Sequence, residues 1–264
     1  MIMEETKPDN SCLLEMRRID KSFPGVQALR KVSMRLHRGE VLGLVGENGA
    51  GKSTLIKVLG GAHLPDAGEI LIEGQPVHIP SPSAAQRAGI SIIYQEFNLI
   101  RDLTVRENIF LGREKTRMGF VKVADEYRQT LELFEKIGID IDPNTRCREL
   151  TVAQQQTVEI AKALCVDAKI IVMDEPTATL TIQEVEHLFA VIRDLKSHGL
   201  GIICISHRLE EIFEVADRVM VLRDGEHVDT QAISDVTRER LIDMMVGRPV
   251  ESEFPKRTAN PGPE

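Results

Sequence analysis

Tryptophan is absent from the 264 residues, tyrosine occurs twice, and aromatic residues make up 4% of the chain. Any site that stacks a ring on a ligand therefore has few side chains to draw on. Cysteine is scarce and scattered: Cys12, Cys147, Cys165 and Cys204 form no C-x-x-C pair. That spacing supports neither a disulfide framework nor a thiolate metal site, and fits reduced thiols. No apolar run approaches the roughly 20 residues that cross a bilayer, and the polar, acidic amino terminus does not read as a signal peptide. Basic residues are not in excess. Lys and Arg number 33 against 41 Asp and Glu, a formal net charge of −8. General nucleic-acid binding favours the opposite balance, so no nucleic-acid partner is expected. No internal repeat is present. What remains, 42% hydrophobic and 28% charged residues, describes a soluble globular chain of one large domain or two small ones.

One stretch carries the chemistry: Gly46-Glu47-Asn48-Gly49-Ala50-Gly51-Lys52-Ser53-Thr54. The short apolar run Val41 to Val45 before it reads as a buried strand, and Leu55 to Leu59 after it as the first turns of a helix. Strand, glycine-rich turn and helix are the context in which G-x-x-x-x-G-K-S/T forms a phosphate-binding loop. Glycines let the backbone curl so that its N–H groups converge on oxygens. The helix starting at Lys52 points the positive end of its dipole at the same place. Lys52 is expected to reach the β- and γ-phosphates, and Ser53 to offer its hydroxyl to Mg²⁺.

The rest of the chain alternates in pattern. Leu13 to Ile19, Val32 to Leu36, Gly68 to Ile72 and Ile90 to Tyr94 read as strands, and Pro82 to Ala88 as a short helix opened by proline. From Glu96 to Leu164 the spacing turns helical, over Arg106 to Leu111, Ala124 to Ile137 and Val152 to Leu164. This stretch, about residues 96–165, is expected to be a helical subdomain inserted into an α/β core. Strand and helix then alternate again: Ile170 to Met173, Thr181 to Ser197, Ile202 to Ile205, Leu209 to Ala216, Arg218 to Leu222, and a hairpin turn at Asp224-Gly225. Thr237 to Val246 closes the fold as a helix. Residues 1–10 read as disordered. Residues 249–264, with Pro249, Pro255, Pro261 and Pro263, read as a linker-like tail.

Sites in parallel α/β sheets form at the carboxyl ends of strands. The phosphate loop, Gln95, Asp174-Glu175 and His207 each follow an expected strand and should converge. Asp174 is placed to hold Mg²⁺, directly or through water, and Glu175 to orient or deprotonate a water attacking the γ-phosphate. Taken alone, Asp174-Glu175-Pro176 is also an ordinary acidic helix start, Gln95 means little, and a lone histidine such as His207 is more often structural. Phe23, beside Pro24-Gly25, is either a core ring or a ring exposed at a turn.

With these residues in this order, the chain resembles the nucleotide-binding subunits of ATP-binding-cassette (ABC) transporters, over about residues 13–248. The family has a phosphate loop, a glutamine loop, a helical subdomain and a family-specific loop, here Leu150-Thr151-Val152-Ala153-Gln154. A strand ending in Asp-Glu and a switch histidine follow. The resemblance implies a P-loop α/β core with an antiparallel β subdomain. It implies Phe23 stacked on adenine and Gln95 touching Mg²⁺ and water. Glu175 becomes the catalytic carboxylate, and His207 holds the γ-phosphate. Residues 46–54 bind ATP, and Ser53, Gln95 and Asp174 take Mg²⁺. Two such domains close head to tail on ATP. The longer runs around Gly46, Thr151 to Leu164 and Met244 to Arg248 resemble the first half of tandem ATPases from bacterial monosaccharide importers (ribose, galactose or xylose type). That implies a second nucleotide-binding domain, membrane permease subunits, a separate periplasmic sugar-binding protein, and a place on the cytoplasmic face of the inner membrane. Phe254-Pro255-Lys256-Arg257 would belong to the linker.

Two positions depart from the family. Its L-S-G-G-Q loop is here Leu150-Thr151-Val152-Ala153-Gln154, and Thr181 stands where it usually has Asp. Both elements serve the partner's ATP site, whereas everything serving this chain's own site is intact. The expectation is an asymmetric pair. Two other readings stay open: a soluble ABC ATPase acting on nucleic acid or ribosomes, and an ATP-binding module that hydrolyses slowly when isolated.

Overall fold

The computed structural model describes residues 12–96, 98–117 and 120–247. The expected disordered start and linker-like tail, with Phe254 to Arg257, lie outside the described residues. Strands are β1 (Cys12–Phe23), β2 (Val26–His37), β3 (Val41–Val45), β4 (Ala67–Ile72), β5 (Gln75–Val77), β6 (Ile90–Ile93), β7 (Thr116–Arg117), β8 (Phe120–Val121), β9 (Ile170–Asp174), β10 (Gly201–Ile205), β11 (Arg218–Arg223) and β12 (Glu226–Ala232). Helices are α1 (Lys52–Leu59), α2 (Pro82–Arg87), α3 (Val105–Phe110), α4 (Val123–Lys136), α5 (Val152–Leu164), α6 (Ile182–Ser197), α7 (Leu209–Val215) and α8 (Arg238–Val246).

The central sheet has the order β12-β11-β3-β10-β9-β6. Its inner strands run parallel, and β12 closes one edge antiparallel. Because side chains alternate along a strand, the continuous apolar runs of β3, β9 and β10 feed both faces. Val41, Ile171 and Ile202 pack with α3 and α5 to α8 on one face. Leu42, Val172 and Ile203 pack on the other with α1 and the second sheet. That second sheet, β2-β1-β4-β5, is antiparallel.

The expected helical stretch contains α3 to α5. Val105, Ile109, Phe134, Val158 and Ile160 share one continuous apolar cluster with Met173 and Val221 of the central sheet. Polar ties hold it as well: the buried Arg106 guanidinium meets Glu126 at 2.7 Å, and Asn108 exchanges two hydrogen bonds with the backbone of Ile100.

The two strands expected at Leu13 to Ile19 and Val32 to Leu36 are parts of one long hairpin, β1–β2, that turns at Pro24-Gly25. Arg18 and Lys31 have positive φ (48° and 47°), and register shifts interrupt the pairing. Such irregularities break the period-2 pattern from which strands are read. The two- and three-residue strands β5, β7 and β8 are too short to give that pattern. No helix among the described residues is long and apolar enough to cross a membrane.

Candidate active site

β3 is fully buried and delivers the chain into the glycine-rich turn. At Gly46 a Cβ would lie 2.2 Å from the Leu222 carbonyl oxygen, and at Gly51, with φ of 101°, 2.8 Å from that of Ala28. Only glycine fits either position. Gly49 has φ of 86° and nothing within 4 Å, so its backbone stands open. The loop is closed across itself by Lys52, whose Nζ donates to the carbonyls of Gly46 (2.7 Å) and Glu47 (3.0 Å). From outside it is pinned by the β11–β12 turn: Gly225 N–H donates to Ala50 O, and Arg30 N–H to Gly225 O. α1 follows with Gly51 as N-cap, no side-chain cap and no acidic residue in its first turn. Its leading N–H groups have no capping side chain, the condition for an anion to take their place.

A cleft of about 420 Å³ opens here. It is lined by Asn48 to Thr54, by Asp174 and Glu175 from the end of β9, and by Ile205 from β10. Val26 to Ala28 and Asp224-Gly225 complete the lining. Glu175 has φ of 50°, a left-handed conformation that side-chain-bearing residues seldom adopt, and its N–H donates to Ile205 O (2.9 Å). The carboxylate is thereby held beside β10, where Glu175 Oε1 lies 3.3 Å from His207 Nδ1. Burial holds the Lys52 ammonium below its ordinary pKa range, while Glu175 and Asp174 pull the other way. Burial, and then the neighbouring Glu175 carboxylate, pushes the Asp174 carboxyl above its ordinary range against Lys52 and Lys57. Two adjacent carboxylates, one desolvated, suit a cation. Among the described residues no cluster of three or more His, Cys, Asp or Glu side chains forms a metal cage. Mg²⁺ keeps waters and substrate phosphates in its shell and takes one or two protein ligands. Ser53, exposed at the first turn of α1 and lining the same cleft, and Asp174 are the side chains here that suit it.

A profile of the ABC transporter family matches residues 29–178. The chain belongs to the ABC transporter family. A putative ribose/galactose/methyl galactoside import ATP-binding protein of Burkholderia lata is 53% identical over 246 residues, 93% of this chain and 47% of the relative. A ribose import ATP-binding protein of Rubrobacter xylanophilus is 54% identical over 250 residues, 95% of this chain and 50% of the relative. A galactose/methyl galactoside import ATP-binding protein of Yersinia pestis is 46% identical over 250 residues, 95% and 49% respectively. The chain spans about half the length of the curated relatives it matches. An ATP-binding cassette of an ABC transporter, solved in its ADP conformation, superposes with a TM-score of 0.77 at 26% identity, covering 90% of this chain and 99% of that one. A nucleotide-free cassette gives 0.75 at 26% identity, covering 92% and 98%.

In this ABC domain the expected site residues fall into two groups. Asn48 to Thr54, Asp174 and Glu175 line one cleft, with Gly46 and Glu47 at its base and His207 in contact with Glu175. Phe23 and Gln95 stand outside the lining. Phe23 is at the tip of β1–β2, 38% exposed rather than in the core, its ring edge-on to His63 (centroids 5.2 Å) and under Lys21 Nζ. Gln95 is exposed just after β6.

The altered family loop is a helix start. Thr151 caps α5: its hydroxyl accepts from Gln154 N–H (3.3 Å), and Gln154 Oε1 accepts from Thr151 N–H (2.9 Å). Val152 and Ala153 fill the first turn of α5. Thr181 caps α6 in the same reciprocal way with Glu184. Sequence reasoning missed two supports of the site. The buried Glu211 accepts from the hydroxyls of Thr177 and Ser206, both at 2.6 Å, stitching the segment after β9 to that after β10. A lone glutamate in a helix's first turn gives no signal of this. Asp224-Gly225 was legible as a turn, but its position against the phosphate loop was not.

Proposed function

We propose that this chain is the ATP-binding and ATP-hydrolysing half of an importer ATPase that energises uptake of a solute, a monosaccharide, through a membrane permease. One observation carries the reading: a phosphate loop and a carboxylate pair line one cleft, and a histidine from a third distant place in the sequence joins them, with Glu175 and His207 at 3.3 Å. The names of the relatives, sugar import ATP-binding proteins at about half-length coverage, support the class of solute and the existence of a second domain.

The N–H groups of Gly49 to Thr54 and the Lys52 ammonium bind the triphosphate of ATP, and Phe23 stacks on its adenine. Ser53 and Asp174, joined by Gln95, hold Mg²⁺, which supplies neutralisation of phosphate charge when bound. Glu175 orients the attacking water and takes its proton. His207 holds the γ-phosphate side, its ring fixed by Glu175. The second nucleotide-binding domain contributes an intact L-S-G-G-Q-type loop across the cleft. The opposite cleft, facing Thr151 to Gln154, is weak or silent. A membrane permease on the cytoplasmic face of the inner membrane and a periplasmic sugar-binding protein complete the assembly. The changed loop also favours a second reading for the domain by itself, binding ATP while turning it over slowly.

ATP binding and hydrolysis measured on the domain alone and joined to its second domain test this. Binding by both, with fast hydrolysis only by the pair, is expected. Fast turnover by the domain alone overturns the need for a partner loop. Copurification with ribosomes in place of a permease overturns the transport assignment.

A further inference from the structure

Gln95 stands outside the cleft its proposed role requires, so what governs its approach matters. Upstream, its segment continues from β6 in the central sheet. Downstream, it is fastened to the helices. The Asn98 N–H donates to Glu159 Oε1 at 2.8 Å, and Asn98 O accepts from Lys162 Nζ at 3.3 Å. Two residues on, Ile100 N–H donates to Asn108 Oδ1 of α3 at 2.7 Å. Glu159 is 6% exposed. Its burial raises the carboxyl above its ordinary range, against Lys162 and the Asn98 N–H, so this is an acid taken out of water to hold one backbone amide. Glu159 and Lys162 belong to α5, the helix whose first turn carries Thr151 to Gln154. Glu159 lies five positions after Gln154, about 7.5 Å of helix rise, on the same helix.

We propose that Glu159 is a positioning residue: by gripping Asn98 it ties the segment that carries Gln95 to α5, and this tie sets how Gln95 stands toward this chain's own cleft. A plain stabilising tie between a loop and a helix makes a different prediction, because its loss would add to the loss of Gln95 rather than act through it.

The inference rests on the role proposed for Gln95, and the experiment separates the two. Hydrolysis by the paired ATPase is measured against ATP concentration for wild type, Q95A, E159A and the double variant. Amide exchange at Asn98 is measured on the same proteins without nucleotide. E159A is expected to lower kcat about five- to tenfold with KM for ATP within twofold, to leave Q95A no worse than it already is, and to speed Asn98 exchange at least tenfold. E159Q, whose side-chain carbonyl still accepts from Asn98, should keep wild-type turnover and exchange. Where E159A does not fold, E159D, one methylene short of Asn98, takes its place. Losses that multiply in the double variant, E159Q as impaired as E159A, or unchanged Asn98 exchange overturn the proposal. Full turnover by Q95A overturns the role of Gln95 instead, and Asn98 exchange then still decides whether the grip exists.

Discussion

α1, α5 and α6 all begin where ABC chemistry is expected, yet their first turns are used differently. At α1 the N-cap is Gly51, with no side-chain cap and no carboxylate in the first turn, and the residues around it line an open cleft. At α5 and α6 the caps are Thr151 and Thr181, each locked in a reciprocal box with Gln154 or Glu184. The leading N–H groups of a helix need partners. α1 leaves them for a ligand, whereas α5 and α6 supply some of their own. The same chain thus carries one helix start open to phosphate and two already committed to their own folding, and the asymmetry proposed for the paired domains follows from that difference.

The largest effect should come from the open side. In the paired ATPase, E175Q is expected to reduce turnover about 10²- to 10⁴-fold, the usual contribution of a positioned general base, while ATP binding persists. A loss under tenfold would mean that the other cleft does the work, and the comparison would be reversed. Next is G46A. Its Cβ would meet the Leu222 carbonyl at 2.2 Å, and overpacking of this kind costs about 1–3 kcal/mol at the start of the loop proposed to bind phosphate. Weaker nucleotide binding and a lower Tm are expected together. The matched change on the committed side, V152G with A153G, should leave turnover at this chain's own cleft within twofold, because neither residue lines it.

How much of this was legible beforehand depends on range. The phosphate loop is local: nine consecutive residues and their flanking strand and helix suffice. Asp174, Glu175 and His207 were legible because each ends an apolar run, and strand ends gather on one side of a parallel sheet. Glu211 was not, because its partners Thr177 and Ser206 come from two segments that only the folded sheet brings together. The grip of Glu159 on Asn98 likewise joins residues 61 apart in sequence. The β1–β2 hairpin was read as two shorter strands, since its irregular register hides the alternation. Phe23 shows the limit most plainly. Its exposure at a turn is now decided, yet Val26, Gln27 and Ala28 line the cleft and it does not.

Thiol labelling compares how firmly the two regions are held. Burial pushes Cys204 up to about 12 and Cys147 up to about 11, so neither is expected to react appreciably at neutral pH in the native state. Cys204 lies in β10, paired on both sides by β3 and β9. Cys147 opens a single helical turn before α5, held by its N–H to Leu103 O and by Asn108 Nδ2 on its sulfur. Local opening is easier where fewer ladder bonds must break. In mild urea Cys147 should therefore be labelled about tenfold faster than Cys204. Equal rates would show that the helices and the sheet open as one unit.

The smallest effects fall on the caps, and they test the contrast most directly. T151A and T181A each remove a hydroxyl that accepts from the backbone of its own helix, and loss of such a cap costs about 1 kcal/mol. Both variants should lower stability by that amount in urea unfolding, with ATP affinity unchanged, because the affected N–H groups are not the ones that hold this chain's nucleotide. Were T151A to change the ATP affinity of this domain by itself, the start of α5 would be communicating with the cleft inside one chain rather than serving a partner across it. T151S, which keeps the hydroxyl, should restore stability. If it does not, the methyl group of Thr151, and not its cap, is what α5 needs there.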